Sequence, residues 1–290
     1  MKRAVVFGVL FGLAGEVLGE GEALLGKKFE SSVGMGLVPI PAGSFLMGSP
    51  EGEVSRRDDE KQVEVTISKG FLMGEAEVTQ GEWMAVMKTG FQEQIESKAG
   101  PLGRGANLVL EPSAEGDEEP MCFVNWGDAV AFCEKLTVLD REAGLLPEGF
   151  VYGLPTEAEW EYACRAGTTT VFAFGDTLTA MQANFYGPKP YGVEEEGEYR
   201  EKTVPVKSFE ANGWGLFDVH GNLYEWCADY YGEVLAGGAD PAGPGEGEGR
   251  VIRGGTWNRT ATSCRSAYRY SAGPESRSYN IGFRVVLRAE

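Results

Sequence analysis

Residues 250–286 read RVIRGGTWNRTATSCRSAYRYSAGPESRSYNIGFRVV. Two textures alternate in this run. Pieces with the look of backbone anchors, Arg253-Gly254-Gly255, Cys264-Arg265-Ser266-Ala267 and Gly282-Phe283-Arg284, are separated by a medley of Asn, Thr, Ser, Ala, Tyr and Arg. Tyr and Ser enriched on scaffolded, irregular backbone have the make-up of an antibody paratope, where Tyr supplies rigid contact area and Ser or Thr adaptable hydrogen bonds. The anchors are expected to be buried and the medley to face outward, with Tyr268, Tyr270 and Tyr279 as candidate hot spots.

The chain that carries this run has 290 residues, 42% of them hydrophobic, which is ample for a buried core and excludes a disordered protein. Its 42 glycines and 14 prolines follow no period, so many turns and short elements are expected, in a loop-rich α+β domain. A net charge of −18 argues against nucleic acid or an anionic membrane as partner, because both recruit basic surfaces. The exception is local. From Arg250 to the end, eight arginines (250, 253, 259, 265, 269, 277, 284, 288) stand against Glu275 and Glu290, and most are expected to pair with acids elsewhere in the fold.

Five cysteines (122, 133, 164, 227, 264) are widely spaced, without a CxxC and with a single histidine, so no zinc site is indicated. The odd number leaves at least one outside any intramolecular disulfide. Amphipathic surroundings of Cys133 and Cys164 predict small buried thiols. One imidazole, His220, without a visible nucleophile is weak ground for acid–base or triad chemistry and reads as structural. No phosphate-binding glycine loop occurs.

Residues 1–22 show two basic residues, an apolar run from Ala4 to Ala14 and then small residues, the layout of a secretory signal and too short for a comfortable membrane span. Glu16 stands where a lipoprotein signal would carry cysteine. A secreted or cell-surface protein is expected, with a cytoplasmic one as the alternative. Residues 1–35 read as an extension and 36–290 as one domain, with an acidic surface insertion at 90–119 and the ligand-binding region at 250–290. Val63, Val65 and Ile67 alternate with polar residues as a half-buried strand does. Thr79 with Glu82, and Thr156 with Glu159, form capping boxes that start helices.

Taken in order, "PIPAGSFLMGS", "EVTQGEWMAVM", "GLPTEAEWEYACRAG", "NGWGLFDVHGNLYEWCADYY", "RVIRGGTWN", "CRSAYR" and "IGFRVV" resemble the formylglycine-generating enzyme family, also called sulfatase-modifying factors. The resemblance covers roughly residues 36–287 and implies a C-type-lectin-like fold with short strands and two or more helices. Fold does not settle function. Members that oxidise a substrate cysteine to formylglycine use two active-site cysteines that bind copper, the first two residues after the tryptophan and the second five later. Those positions here are Arg259 and Cys264. Copper(I) prefers soft thiolates, and an arginine brings a fixed positive charge instead. The sequence is therefore expected not to bind copper and not to be an enzyme, with no catalytic residue assigned. An enzyme of the sulfatase-modifying type with altered chemistry is the alternative.

The resemblance also implies calcium. Asp218 and Glu225 offer hard carboxylate oxygens, and Gly221 and Leu223 backbone carbonyls between them, at the positions of the family's calcium loop. The competing reading is that Glu225 pairs with an arginine. A second family site would use Asn184 and Phe185 with an acid near Glu198. Finally, the chain resembles the variable proteins of diversity-generating retroelements, whose carboxy-terminal segment is diversified by mutagenic copying of adenines. The residues Asn258, Arg259, Thr260, Thr262, Ser263, Tyr268, Tyr270, Ser271, Ser278 and Tyr279 all fall within the set reachable from randomised AAY codons, and with Trp257 they form the candidate ligand-binding set. A protein or other macromolecular ligand is the expected partner.

Overall fold

The computed structural model describes residues 24–98 and 114–290. The apolar amino-terminal run and most of the expected surface insertion lie outside the described residues.

Among the described residues, twelve short strands, four α-helices and two 3-10 helices (Asp58–Glu60 and Ala261–Cys264) are joined by turns and loops. Strands β1 (Phe29–Glu30), β2 (Gly36–Ile40), β5 (Phe71–Gly74), β12 (Val286–Ala289) and β6 (Phe150–Gly153) form one sheet in that order. A second sheet runs β10 (Tyr270–Ala272), β9 (Arg250–Arg253), β7 (Tyr224–Tyr230) and β11 (Ile281–Gly282), with β11 parallel to β7. A third joins β3 (Gly43–Met47), β4 (Val63–Ile67) and β8 (Gly238–Ala239). This is the loop-rich α+β architecture that the composition predicts, in the C-type-lectin-like form that the resemblance implies. Sheet pairing begins ahead of Gly36, since Phe29 pairs with Leu37.

Helix starts follow the local sequence. Helix α1 (Gln80–Met87) is capped by Thr79 and Glu82, and α4 (Glu157–Arg165) by Thr156 and Glu159, each through a reciprocal capping box. Helix α3 (Trp126–Glu142) uses Asn125 with Asp128 in the same way. Between α1 and α3 lies α2 (Phe91–Lys98).

One core cluster joins Trp83, Phe132, Trp226, Phe283 and Leu287, with Trp83 stacked on Phe132 and Phe283 set edge-on to both. A second gathers around Trp160, Val65, Phe71 and Val286. Strand β12 contributes to both, so the carboxy-terminal run is threaded through the middle of the molecule rather than laid on its surface.

Candidate functional site

The anchors of the carboxy-terminal run are held by a set of buried ion pairs. Arg284 places Nε 2.6 Å and Nη2 2.7 Å from the two carboxylate oxygens of Glu225, both residues fully buried. Arg265 meets both oxygens of Glu60 at 2.7 and 2.8 Å and also Glu53. Arg269 forks onto Glu157 at 2.6 and 2.8 Å. Arg253 pairs with Glu161, which also binds Arg165, while Arg277 meets Asp128 and Arg288 meets Glu159. Arg250 lies between the rings of Trp126 and Tyr230, 3.8 and 3.4 Å from their centroids. Each planar guanidinium suits the two oxygens of a carboxylate, and a buried charge requires such pairing. The local excess of arginine is thus absorbed by acids from distant parts of the chain.

Arg259 is the exception: it is exposed, with its carbonyl accepting a hydrogen bond from the Tyr186 amide at 2.8 Å. Around it the medley spreads over a surface of graded exposure. Tyr270 is 43% exposed and stacks on Tyr224. Asn258, Thr260, Thr262, Tyr268, Ser271, Ser278 and Tyr279 are half-buried. Many are fixed in place: Asn258 donates to the Tyr279 hydroxyl, Thr260 and Thr262 share a hydrogen bond, and Arg57 lies over the Tyr268 ring. Trp257 and Ser263, from the same candidate set, are buried beneath this surface. Trp257 packs between Tyr199 and Tyr279, and Tyr199 in turn meets Tyr186 edge-on. Tyr186 and Tyr199 have no mark in the sequence; only the fold brings them to Trp257.

Cys264 is fully buried, and burial pushes its thiol up to about 12. The glycine pair before it explains the close packing. Gly255 adopts φ +78°, and a Cβ there would come 2.4 Å from the Cys264 sulfur. Arg259 and Cys264 therefore do not offer two surface thiolates, and the residues at these positions do not fit a two-sulfur copper site. The other cysteines are buried as well, Cys133 and Cys164 as their surroundings predict. His220 is buried, with Nδ1 donating to the Cys264 carbonyl at 2.8 Å and Nε2 accepting from the Ala173 amide at 2.9 Å. Burial pushes the imidazole down to about 4, so it is a neutral structural bracket.

At the expected calcium loop, Asp218 adopts φ +59° and Gly221 φ +150°; a Cβ on Gly221 would sit 2.4 Å from the Asn184 carbonyl. Both oxygens of Glu225 are engaged by Arg284, and one also accepts from Trp160 at 2.8 Å. The Leu223 amide donates to Glu77. Asp218 accepts from the Lys207 amide through one oxygen, while its other oxygen is buried without a partner among the described residues. Burial raises this carboxyl to about 6. The side-chain oxygen of Asn184 is likewise buried and has no partner among the described residues. Asp218 and Asn184 line one cavity of about 10 Å³, room for a single water or ion. Phe185 is buried beside Asn184, and Glu198 pairs at 3.5 Å with Arg200. Among the described residues no three His, Cys, Asp or Glu side chains gather as a metal cluster. Glu77, fully buried and held well above the usual carboxylate range by burial beside Asp218 and Glu225, was not foreseen from sequence.

Residues 24–289 match the family of sulfatase-modifying factor enzyme 1-like domains. The chain belongs to this family. It is 34% identical to the formylglycine-generating enzyme of Streptomyces coelicolor over 88% of this chain and 90% of that protein. Among solved structures it resembles PvdO from Pseudomonas aeruginosa, with a TM-score of 0.72 and 30% identity over 91% of this chain and 98% of that one. It also resembles Treponema denticola variable protein 1, with a TM-score of 0.68 and 26% identity over 90% and 98% of the two chains. The expectation that the chain is not an enzyme is corrected by these findings, since relatives named formylglycine-generating enzyme reach 34% identity across nearly the whole domain. A missing thiolate speaks about one cofactor; it does not remove a family member from an enzyme family. Among the described residues no helix is long and apolar enough to cross a membrane.

Proposed function

We propose that this member of the sulfatase-modifying factor family recognises a polypeptide ligand through the face formed by Asn258, Arg259, Thr260, Thr262, Tyr268, Tyr270, Ser271, Ser278 and Tyr279, with Trp257 and Ser263 supporting it from below. The observation that carries this reading is the division of one short run into two faces. Its arginine anchors are fully buried in carboxylate pairs, while the interleaved Tyr, Ser, Thr and Asn side chains reach the surface on a backbone that those pairs immobilise. Rigid aromatic side chains on a fixed backbone lose little entropy on binding. The likeness to a variable protein and the residue set reachable from AAY codons support a diversified surface.

A random-peptide display selection on the purified protein tests the proposal. Enriched peptides should lose roughly tenfold or more in affinity with Tyr270→Ala or Arg259→Ala, while the melting temperature is unchanged. Peptides that bind both variants as tightly as the parent would place recognition elsewhere.

Copper is not part of this reading, because the buried Cys264 thiol and the exposed Arg259 cannot jointly supply two thiolates. A copper(I) competition titration that changes on Cys264→Ser would contradict it. Calcium is. The unpartnered oxygens of Asp218 and Asn184 suit a hard cation, with backbone carbonyls of the 218–223 loop completing the oxygen set; Glu225 stays with Arg284. Bound there, the cation would neutralise buried negative charge at Asp218 and brace the loop that leads into β7.

A further inference from the structure

On another part of the surface, the first turn of α4, the end of β7 and the loop leading to β8 enclose a cavity of about 280 Å³. Its walls are of two kinds. Met47, Leu235 and Val234 form an apolar side, with Val234 78% exposed at the rim. Glu157, Asp229 and Arg269 supply the charge. Arg269 spends its fork on both oxygens of Glu157 and its remaining nitrogen on the carbonyls of Asp59 and Gly232. That leaves Asp229, only 7% exposed, with no cation within ion-pair distance among the described residues. Its two oxygens accept one backbone N–H each, from Glu157 and Gly243. A carboxylate has about four acceptor sites, so capacity remains. Among the buried carboxylates of the described residues, Glu60, Glu157, Glu161 and Glu225 each hold an arginine, whereas Asp229, like Glu77 and Asp140, holds neutral donors only.

We propose that this cavity binds an aliphatic primary ammonium group, its charge at the Asp229 carboxylate and its methylene stem along Met47, Leu235 and Val234. The apolar side is suited to a flexible alkyl chain and the net charge of the lining is −1, which selects a cation over an anion. A lysine side chain and a free alkylamine share this chemistry. The site lies outside the candidate Tyr and Ser face, and the inference does not depend on that reading.

Isothermal titration of the whole protein with n-pentylamine and with Nα-acetyl-lysine methylamide tests it, with n-pentanol as the uncharged control. Saturable binding of at least one amine and none of the alcohol is expected, with a dissociation constant of order 1 mM for so small a ligand. Tighter binding of the lysine derivative would identify a peptide as the source, and tighter binding of pentylamine a free amine. Asp229→Asn should weaken the amine roughly tenfold or more, as loss of a charged hydrogen bond does. Because Asp229 also tethers two backbone amides, Val234→Lys provides a second variant that leaves them intact; its rim ammonium should weaken binding by a similar factor. Absence of saturable amine binding, equal binding of pentanol, or affinities unchanged in Val234→Lys would overturn the proposal.

Discussion

The inner and outer faces of residues 250–286 differ more than their composition suggests. Arg253, Arg265 and Arg284 are fully buried and Arg269 nearly so, whereas Arg259, in the same run, is exposed. Nothing in the side chain distinguishes these arginines. What separates them is the partner that the fold brings: Glu161, Glu60, Glu157 and Glu225 come from as far as 205 residues away, and among the described residues none comes to Arg259. The lesson is that this scaffold separates stability from recognition residue by residue within one segment. Substitution at its exposed positions, Arg259 and Tyr270, is therefore expected to leave the inner face undisturbed.

The largest expected effect tests the inner face. Arg284→Ala leaves Glu225 buried and unpaired, which should cost about 3–5 kcal/mol and lower the thermal midpoint sharply. A chemical-denaturation curve close to wild type would show that the pairs are not what hold the run in place.

Next comes His220, which braces the Cys264 carbonyl as a neutral imidazole. Its folded value, about 4, lies below the ordinary 6.5, so the unfolded chain takes up the proton first. The stability it contributes is complete above about pH 6.5 and is lost as pH falls toward 4. Wild type should lose roughly 2–3 kcal/mol more than His220→Gln over that interval, read from denaturant midpoints at several pH values. Parallel pH profiles would remove His220 from the inner framework.

Calcium addition should raise stability by about 2.7 kcal/mol at a hundredfold excess over its dissociation constant, and Asp218→Asn should abolish that gain. An unchanged melt on adding chelator, with no calcium by elemental analysis, would leave the oxygens of Asp218 and Asn184 to ordered water.

The smallest effects sharpen the outer face. Arg259→Ala and Tyr270→Ala should each change stability by about 0.5 kcal/mol or less, since both are exposed. Tyr268→Ala and Tyr279→Ala should cost more, because both rings are half-buried against the main core cluster, Tyr279 on Trp257. If Tyr270→Ala proved as costly as either, the outer face would be core by another name.

Much of the fold was legible before any coordinates. The capping boxes at Thr79 and Thr156 name their own helix starts because the chemistry is complete within four residues. The period-two pattern of Val63, Val65 and Ile67 is a strand for the same local reason. The anchors of the carboxy-terminal run are recognisable as anchors, and the arginine excess there already implied acids elsewhere. The missing thiolate at Arg259 is also visible in sequence, although inferring from it that the chain was not an enzyme went beyond what one position can carry.

Only the tertiary structure decided which acid meets which arginine, because those pairs join residues far apart in the chain and any acid is locally a possible partner. It decided that Glu225 belongs to Arg284, and that Tyr186 and Tyr199 surround Trp257. Among the described residues it left one oxygen each of Asp218 and Asn184 unpartnered across one small cavity, and Asp229 facing a larger one without a cation. Each of these is a statement about what is absent within a few ångströms of a buried group. A sequence lists the groups; only the folded chain determines which of them are left without a partner.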